Sequence, residues 1–234
     1  MDNLKVSVIT VCFNAEETID ETLLSVVNQS YNNIEYIVID GKSNDSTLLH
    51  LKSYKDKIDC IISEPDYGVY DAMNKGLNVA NGDFVIFLGA DDHFISYDII
   101  ADVVNLIREK DCVYYGNVVR GKRNDIYKGH FNKYKISLEN ICHQCIFYPR
   151  SVYKSYLYEL KYKTYADYYY NLQIFPLVKF VYLPIIISYF NVGGISSSVV
   201  DKDFENDVFK LVLRQNGFWA YLLRHIYKFY KKIK

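Results

Sequence analysis

No stretch of this chain stays apolar long enough to cross a bilayer. The longest run, residues 180–187, contains Pro184 and falls well short of the roughly 20 residues a spanning helix needs. The N-terminus, Met1-Asp2-Asn3-Leu4-Lys5, lacks the basic start and apolar core of a secretion signal. Both absences lead to the expectation of a cytoplasmic protein. Charge of one sign is missing too: 27 basic residues against 28 acidic give a net charge of −1, so no overall positive field favours nucleic acid. The five cysteines are an odd number and suggest no disulfide framework. Cys142-His143-Gln144-Cys145 is a lone C-x-x-C without the second ligand pair that a four-coordinate zinc site requires. Low-complexity linkers and internal repeats are also absent, which favours one folded unit.

What is present is an alternation of short apolar runs with amphipathic ones. Half of the 234 residues are hydrophobic, enough for a sizeable core. Strands are expected at 6–12, 34–40, 60–62 and 84–88, with helices at 15–28, 46–54 and 69–80 between them. Repeated strand–helix–strand units imply a Rossmann-like α/β fold, a mostly parallel sheet with helices on both faces. The second half is less regular. It reads as a helix at 97–109, a strand at 112–119, a polar hairpin or loop at 121–132, a helix at 165–174 and a strand at 181–189. The 24 tyrosines show no period and read as core and surface filler.

The most informative segment is Phe84-Val85-Ile86-Phe87-Leu88-Gly89-Ala90-Asp91-Asp92. Five bulky apolar residues make a strand buried on both faces, and two carboxylates emerge at its C-terminal end, where open α/β sheets bind ligands. Adjacent acids repel unless a positive group sits between them, and a divalent cation carrying phosphates would serve. A helix N-cap is the plainer reading. Asp40-Gly41-Lys42-Ser43 imitates the end of a phosphate-binding loop, but Tyr36 stands where that motif needs glycine. Asp40 is then either an acceptor for a base or ribose, or an ordinary turn residue. Glu64-Pro65-Asp66-Tyr67-Gly68 opens a helix on which Asp71 and Lys75 lie four apart, placed for an ion pair or for a ligand. In a parallel sheet all four polar strand ends, after residues 10, 40, 63 and 88, share one edge.

These segments resemble the family 2 glycosyltransferases of GT-A fold. The likeness rests on Val8-Ile9-Thr10-Val11-Cys12-Phe13-Asn14, the 40–47 turn, residues 63–76 and residues 82–92, and it continues more weakly through His143-Gln144 and Ala166-Asp167-Tyr168. The string Glu64-Pro65-Asp66-x-Gly68-x-Tyr70-Asp71-Ala72-Met73-Asn74-Lys75-Gly76 is similar to enzymes building colanic acid, O-antigen and capsule. The resemblance implies a GT-A domain over 1–200, with a nucleotide-sugar half to about 118 and an acceptor half from about 119. It implies an inverting, metal-dependent sugar transfer from a nucleotide-diphosphate sugar to a saccharide or lipid-linked saccharide. Thr10, Phe13, Asn14 and Glu17 would surround the nucleotide, and Asp40 would bind the base. Gly41, Ser43, Asp66, Asp71 and Lys75 would complete that set. Asp91 would reach the ribose or sugar, Asp92 would bind Mg²⁺ or Mn²⁺, and Asp167 would be the general base. His143 and Gln144 would contact the acceptor or the diphosphate. The common D-x-D is replaced here by Gly89-Ala90-Asp91-Asp92, and Ala166 stands where many members have Glu.

Acid is absent from residues 208–234, which hold seven Lys and Arg interleaved with aromatic and aliphatic residues. This basic amphipathic tail, counted from 201, suits an anionic membrane surface on the inner face of the cytoplasmic membrane. Docking of its apolar stripe on the domain is the alternative. Two rival functions remain: a nucleotidyltransferase of related fold, disfavoured because Cys12-Phe13-Asn14-Ala15 lacks a Gly-rich basic loop, and a non-catalytic sugar-nucleotide-binding membrane adaptor.

Overall fold

A computed structural model describes residues 3–121, 125–127, 129–191 and 201–233. Its first half is built by the buried runs that the sequence shows. Strands β1 (Val6–Cys12), β2 (Ile34–Asp40) and β4 (Phe84–Gly89) are almost wholly buried, because helices cover both faces of the sheet. With β3 (Cys60–Ser63) they form a parallel array in the order β3-β2-β1-β4. The register sets Cys12 beside Asp40, Asp40 beside Ser63 and Val11 beside Gly89, so four strand ends share one edge.

The intervening helices are α1 (Ile19–Val27), α2 (Thr47–Ser53) and α3 (Val69–Val79). α1 starts four residues later than its apolar spacing predicts. The amides of Ala15 and Glu16 donate to the side chains of Thr47 and Asp45, which fixes that turn to the β2 loop ahead of the helix. α4 (Ile99–Leu106) ends early for a similar reason: the amides of Arg108 and Glu109 both donate to the Tyr114 hydroxyl.

The second half extends the sheet with mixed polarity. β8 (Ile146–Pro149) runs antiparallel between β4 and β6 (Val113–Arg120) and joins the two halves. β9 (Phe180–Phe190) is parallel to β6, while β5 (His93–Phe94) is antiparallel to β9. The expected hairpin near 121–132 is formed in part by β7 (Asp125–Tyr127) against β6; residues 122–124 and 128 lie outside the described set. Four-residue helices α5 (Lys133–Ile136) and α6 (Arg150–Tyr153) flank this region. α7 (Ala166–Ile174) is buried on most sides, and α8 (Lys202–Asn216) and α9 (Phe218–Ile233) form a C-terminal hairpin. Among the described residues no helix is long and apolar enough to cross a membrane.

The tyrosines are less of a filler than their scatter suggests. Tyr158 lies 5.5 Å from Tyr70 and 4.8 Å from Tyr170, and Tyr148 meets Tyr170 edge-on at 5.4 Å. These rings tie α3 to α7 and β8 in a second, aromatic core, each pair worth about 0.5–1.5 kcal/mol beyond its area.

Gly82 precedes β4 where three backbone segments meet. A Cβ there would lie 2.6 Å from the Ser7 nitrogen, the Ser7 hydroxyl and the Phe84 carbonyl. Gly82→Ala should lower stability by about 1–3 kcal/mol, because fixed backbone cannot yield as a flexible side chain would. A fall in the urea midpoint at constant slope checks this.

Candidate active site

The loops that follow β1 and β2 are laced to each other. The Asn14 amide donates to the Ser43 hydroxyl at 2.8 Å, and the Asn44 amide donates back to Asn14 Oδ1 at 2.9 Å. Asn14 and Lys42 hold positive φ angles of 49° and 65°, a conformation that Asn tolerates better than most residues. A shallow cleft of about 350 Å³ opens beside them, lined by Asn14, Glu17, Asn44 and Asp45 among others. Phe13 follows β1 next to it with 62% of its surface exposed, and Tyr67, in the loop after β3, is 90% exposed.

Asp40 does not face this cleft. It is fully buried, and its carboxylate accepts from the Ser43 amide and hydroxyl and from the Ser63 hydroxyl at 2.6 Å. Its lone pairs therefore hold the β2 turn to the end of β3 instead of meeting a base. Thr10, likewise expected to line the pocket, is a core residue whose hydroxyl lies 3.1 Å from that of Tyr36. What Asp40 secures is the approach of Gly41 to Asp66. A Cβ on Gly41 would lie 2.5 Å from Asp66 Oδ2 and 3.4 Å from the Phe13 ring. Phe13, Gly41 and Asp66 thus converge at the ends of β1 and β2.

Lys75 orders the segment that carries Asp66. Its ammonium donates to the Pro65 carbonyl at 2.7 Å and pairs with Glu64 at 2.9 Å and Asp71 at 3.6 Å. Asp71 also accepts from the Tyr67 amide. Lys75 and Asp71 therefore serve the loop in this structure. The bond to Glu64 is the main cause that raises the Lys75 pKa.

At the end of β4 the two acids part company. Asp91 is half-buried, whereas Asp92 is 1% exposed and points inward. Asp92 Oδ2 accepts from the Gly89 amide at 3.0 Å and from Gln144 Nε2 at 2.9 Å, and Oδ1 accepts from the Asn191 amide at 3.1 Å. Gly89 is what permits this packing, since a Cβ there would lie 2.8 Å from Asp92 Oδ2 and 3.1 Å from Asp91 Oδ1. The expected ligand role of Asp92 thus meets a carboxylate already held by three donors, and Asp91 has the more open edge. Burial raises the pKa of Asp91, and burial with the neighbouring charge of Asp91 pushes Asp92 up to about 6.

Among the described residues no group of three or more His, Cys, Asp or Glu is placed to hold a metal alone. The donor set does fit Mg²⁺ or Mn²⁺ bound in the way of phosphate enzymes, by one or two carboxylates with the rest of the shell from phosphate oxygens. The strain of two adjacent, partly desolvated carboxylates is what such a cation would relieve.

Asp167, at the start of α7, is the other buried acid. Oδ1 accepts from the Tyr70 hydroxyl at 3.0 Å and the Tyr168 amide at 2.8 Å; Oδ2 accepts from Asn140 Nδ2 at 2.8 Å and lies 3.1 Å from His143 Nδ1. A carboxylate offers about four lone-pair positions, and four groups lie within hydrogen-bond distance of them here, the Tyr70 hydroxyl being shared with the Thr164 carbonyl at 2.9 Å. Asn140 is itself held by Asn171, which accepts from Tyr148. His143 and Gln144 sit in one 3-10 turn, His143–Cys145, so consecutive side chains grip Asp167 and Asp92. The flanking Cys142 is an unreactive thiol, pushed up to about 12 by burial and by the charge of Asp167. Tyr70 and Asn140 were not singled out from sequence. Tyr70 lies inside the 64–76 string, so its signal was present; Asn140 carries none.

The Glycosyl transferase family 2 model matches residues 7–168. The PGL/p-HBAD biosynthesis glycosyltransferase of Mycobacterium bovis is 33% identical over 208 residues, 85% of this chain and 81% of the relative. The Escherichia coli UDP-Glc:alpha-D-GlcNAc-diphosphoundecaprenol beta-1,3-glucosyltransferase WfgD is 30% identical over 146 residues, 62% of this chain and 58% of that protein. The crystal structure of S. aureus TarS 1-349 in complex with UDP-GlcNAc superposes with a TM-score of 0.74 at 20% identity, over 91% of this chain. The chain spans 66% of that structure's length, and at this identity the likeness shows the fold alone.

The Asp92 pKa gives a test of the buried site. A folded-state pKa near 6, above the ordinary 3.8, means the folded protein holds this proton more tightly than the unfolded chain. The resulting stabilisation is present at low pH and is lost as pH rises from about 4 to 6, on the order of 2–3 kcal/mol at most. Asp92→Asn should flatten that part of the melting-temperature profile. A wild-type profile rising steeply through this window, matched by the variant, would contradict the assignment.

Proposed function

The chain belongs to glycosyl transferase family 2, and we propose that it moves a sugar from a nucleotide-diphosphate donor to a saccharide or lipid-linked saccharide hydroxyl in bacterial surface polysaccharide synthesis. The observation that carries the reading is the His143-Gln144 turn, whose two side chains join the Asp91-Asp92 strand end to Asp167. A donor-binding edge and a candidate base are held by one rigid element.

On the donor side, Asn14 and Glu17 line the cleft for the nucleoside, and Phe13 covers the base where Gly41 and Asp66 approach it. Asp91 would hold the divalent cation, with Asp92 fixing the strand end behind it. A bound cation neutralises charge on the departing nucleoside diphosphate.

On the acceptor side the crowding of Asp167 favours its partner His143 for the proton-accepting role. With four groups crowded on the Asp167 carboxylate, we assign the His143 tautomer whose Nδ1–H donates to Oδ2, which leaves Nε2 as the proton acceptor. The acceptor hydroxyl gives its proton to Nε2 as its oxygen forms the bond to the anomeric carbon. The bond to the diphosphate breaks on the opposite face, which inverts the centre. Asp167 orients the ring and stabilises the imidazolium, with Tyr70 and Asn140 keeping the carboxylate in place.

The first test is release of nucleoside diphosphate across UDP-, GDP- and dTDP-sugars with Mg²⁺ or Mn²⁺. No release from any donor, with or without saccharide acceptors, sinks the reading. With the active donor, His143→Ala should lose about 10²–10⁴-fold in kcat with donor affinity kept, and added imidazole should restore part of it. Asp167→Asn should lose a similar factor through the wrong ring tautomer, without imidazole rescue. Full activity in His143→Ala beside an inactive Asp167→Asn would return the base role to the carboxylate. Asp91→Ala should abolish metal-dependent donor binding in calorimetry.

A further inference from the structure

Helix α9 is mounted inside out. Its domain-facing side carries Ala220 and Arg224, 0% and 4% exposed, while Trp219, Ile226 and Phe229 are 70%, 59% and 69% exposed. Leu222 and Leu223 are exposed between them. At 100° per residue these five fall on one arc, because 219, 222, 223, 226 and 229 repeat at helical spacing. An amphipathic helix packing on a core does the reverse and buries that stripe.

The inner face is held by polar bonds that leave no easy rotation. Arg224 Nη1 donates to the Ser137 carbonyl and, at 3.0 Å, to the Tyr168 hydroxyl. The guanidinium also lies over the Tyr168 and Phe209 rings at 5.5 Å each. Lys228 pairs with Glu205 of α8 and sits over Phe209. Turning the apolar stripe inward would strip a buried guanidinium of these partners, at the cost of an unpaired charge.

We propose that the exposed face of α9 seats the enzyme on an anionic lipid bilayer, lying in the interface plane. Charge complementarity selects this occupant. Residues 208–234 hold seven basic residues and no acid; with Arg224 on the inner face and Lys228 paired to Glu205, the charge offered to a surface comes from the other five, and three of the last four residues are lysine. The nearest acids on α8 are engaged, Asp207 with Lys161 and Glu205 with Lys228. A helix of large moment, with Trp and Phe at its apolar face and basic flanks, partitions about 5–10 Å into the headgroup region. Anionic lipid adds attraction for each lysine near the surface. This gives the acceptor side of the proposed function a location and rests on that reading for its purpose, but not for its test.

Trp219 is the only tryptophan in the chain, so its emission reports on this face alone. The full chain is mixed with phosphatidylcholine vesicles and with vesicles containing phosphatidylglycerol, at low and high salt. The expected result is co-sedimentation with the anionic vesicles and a blue shift of Trp219 emission, both weakened by salt. The Ile226→Ser/Phe229→Ser double variant should bind at least about tenfold more weakly while its melting temperature and its turnover of a soluble acceptor stay unchanged. Absence of vesicle binding, or equal binding by the double variant, overturns the proposal. So does a lipid-free dimer in ultracentrifugation that the double variant abolishes, which would give the face to a second copy. Loss of sugar transfer with vesicle binding intact would count against the catalytic reading instead.

Discussion

Two consecutive side chains on one short turn hold the site together. Gln144 Nε2 reaches Asp92 at 2.9 Å and His143 Nδ1 lies 3.1 Å from Asp167. The two acids come from opposite halves of the chain, one at the end of β4 and one at the start of α7. Without this turn each would be a buried carboxylate with fewer donors, and an unmet buried charge costs several kcal/mol. The turn is itself fixed: the Ser188 hydroxyl on β9 donates to the Gln144 carbonyl. The end of β4, the start of α7 and β9 therefore meet at one turn.

The parallel half of the fold was legible because burial on both faces leaves a plain mark, the runs at 6–12, 34–40 and 84–88. β8 was not, since four buried residues of mixed type carry no period, and nothing local says that Ile146–Pro149 runs antiparallel to β4. The tyrosine core was hidden for a related reason. Rings that meet here are separated in sequence by up to 88 positions, Tyr70 to Tyr158, so their order appears only in three dimensions.

At the site, residue type was readable and direction was not. Asp40, Asp91, Asp92 and Asp167 all stand where the sequence pointed, at strand ends or a helix start. Whether a carboxylate faces a cleft or a turn depends on donors elsewhere: Ser63 for Asp40, Gln144 for Asp92, Tyr70 and Asn140 for Asp167. Adjacent Asp91 and Asp92 illustrate the limit. One half-turn of backbone decides which is open, and Gly89, lacking a side chain that would strike both, lets the arrangement form.

The same logic explains why the tail could not be oriented from its sequence. A basic amphipathic helix is compatible with packing either face inward, and the hydrophobic effect alone favours burying the apolar one. Here a polar anchor reverses that preference. Arg224 satisfies the Ser137 carbonyl and the Tyr168 hydroxyl, and Asn216 Nδ2 donates to the Ser137 hydroxyl at 2.8 Å. Tyr168 is the residue after Asp167. The element that turns the apolar stripe outward is thus bonded to the first turn of α7, which carries Asp167, so whatever seats on α9 bears through one guanidinium on α7.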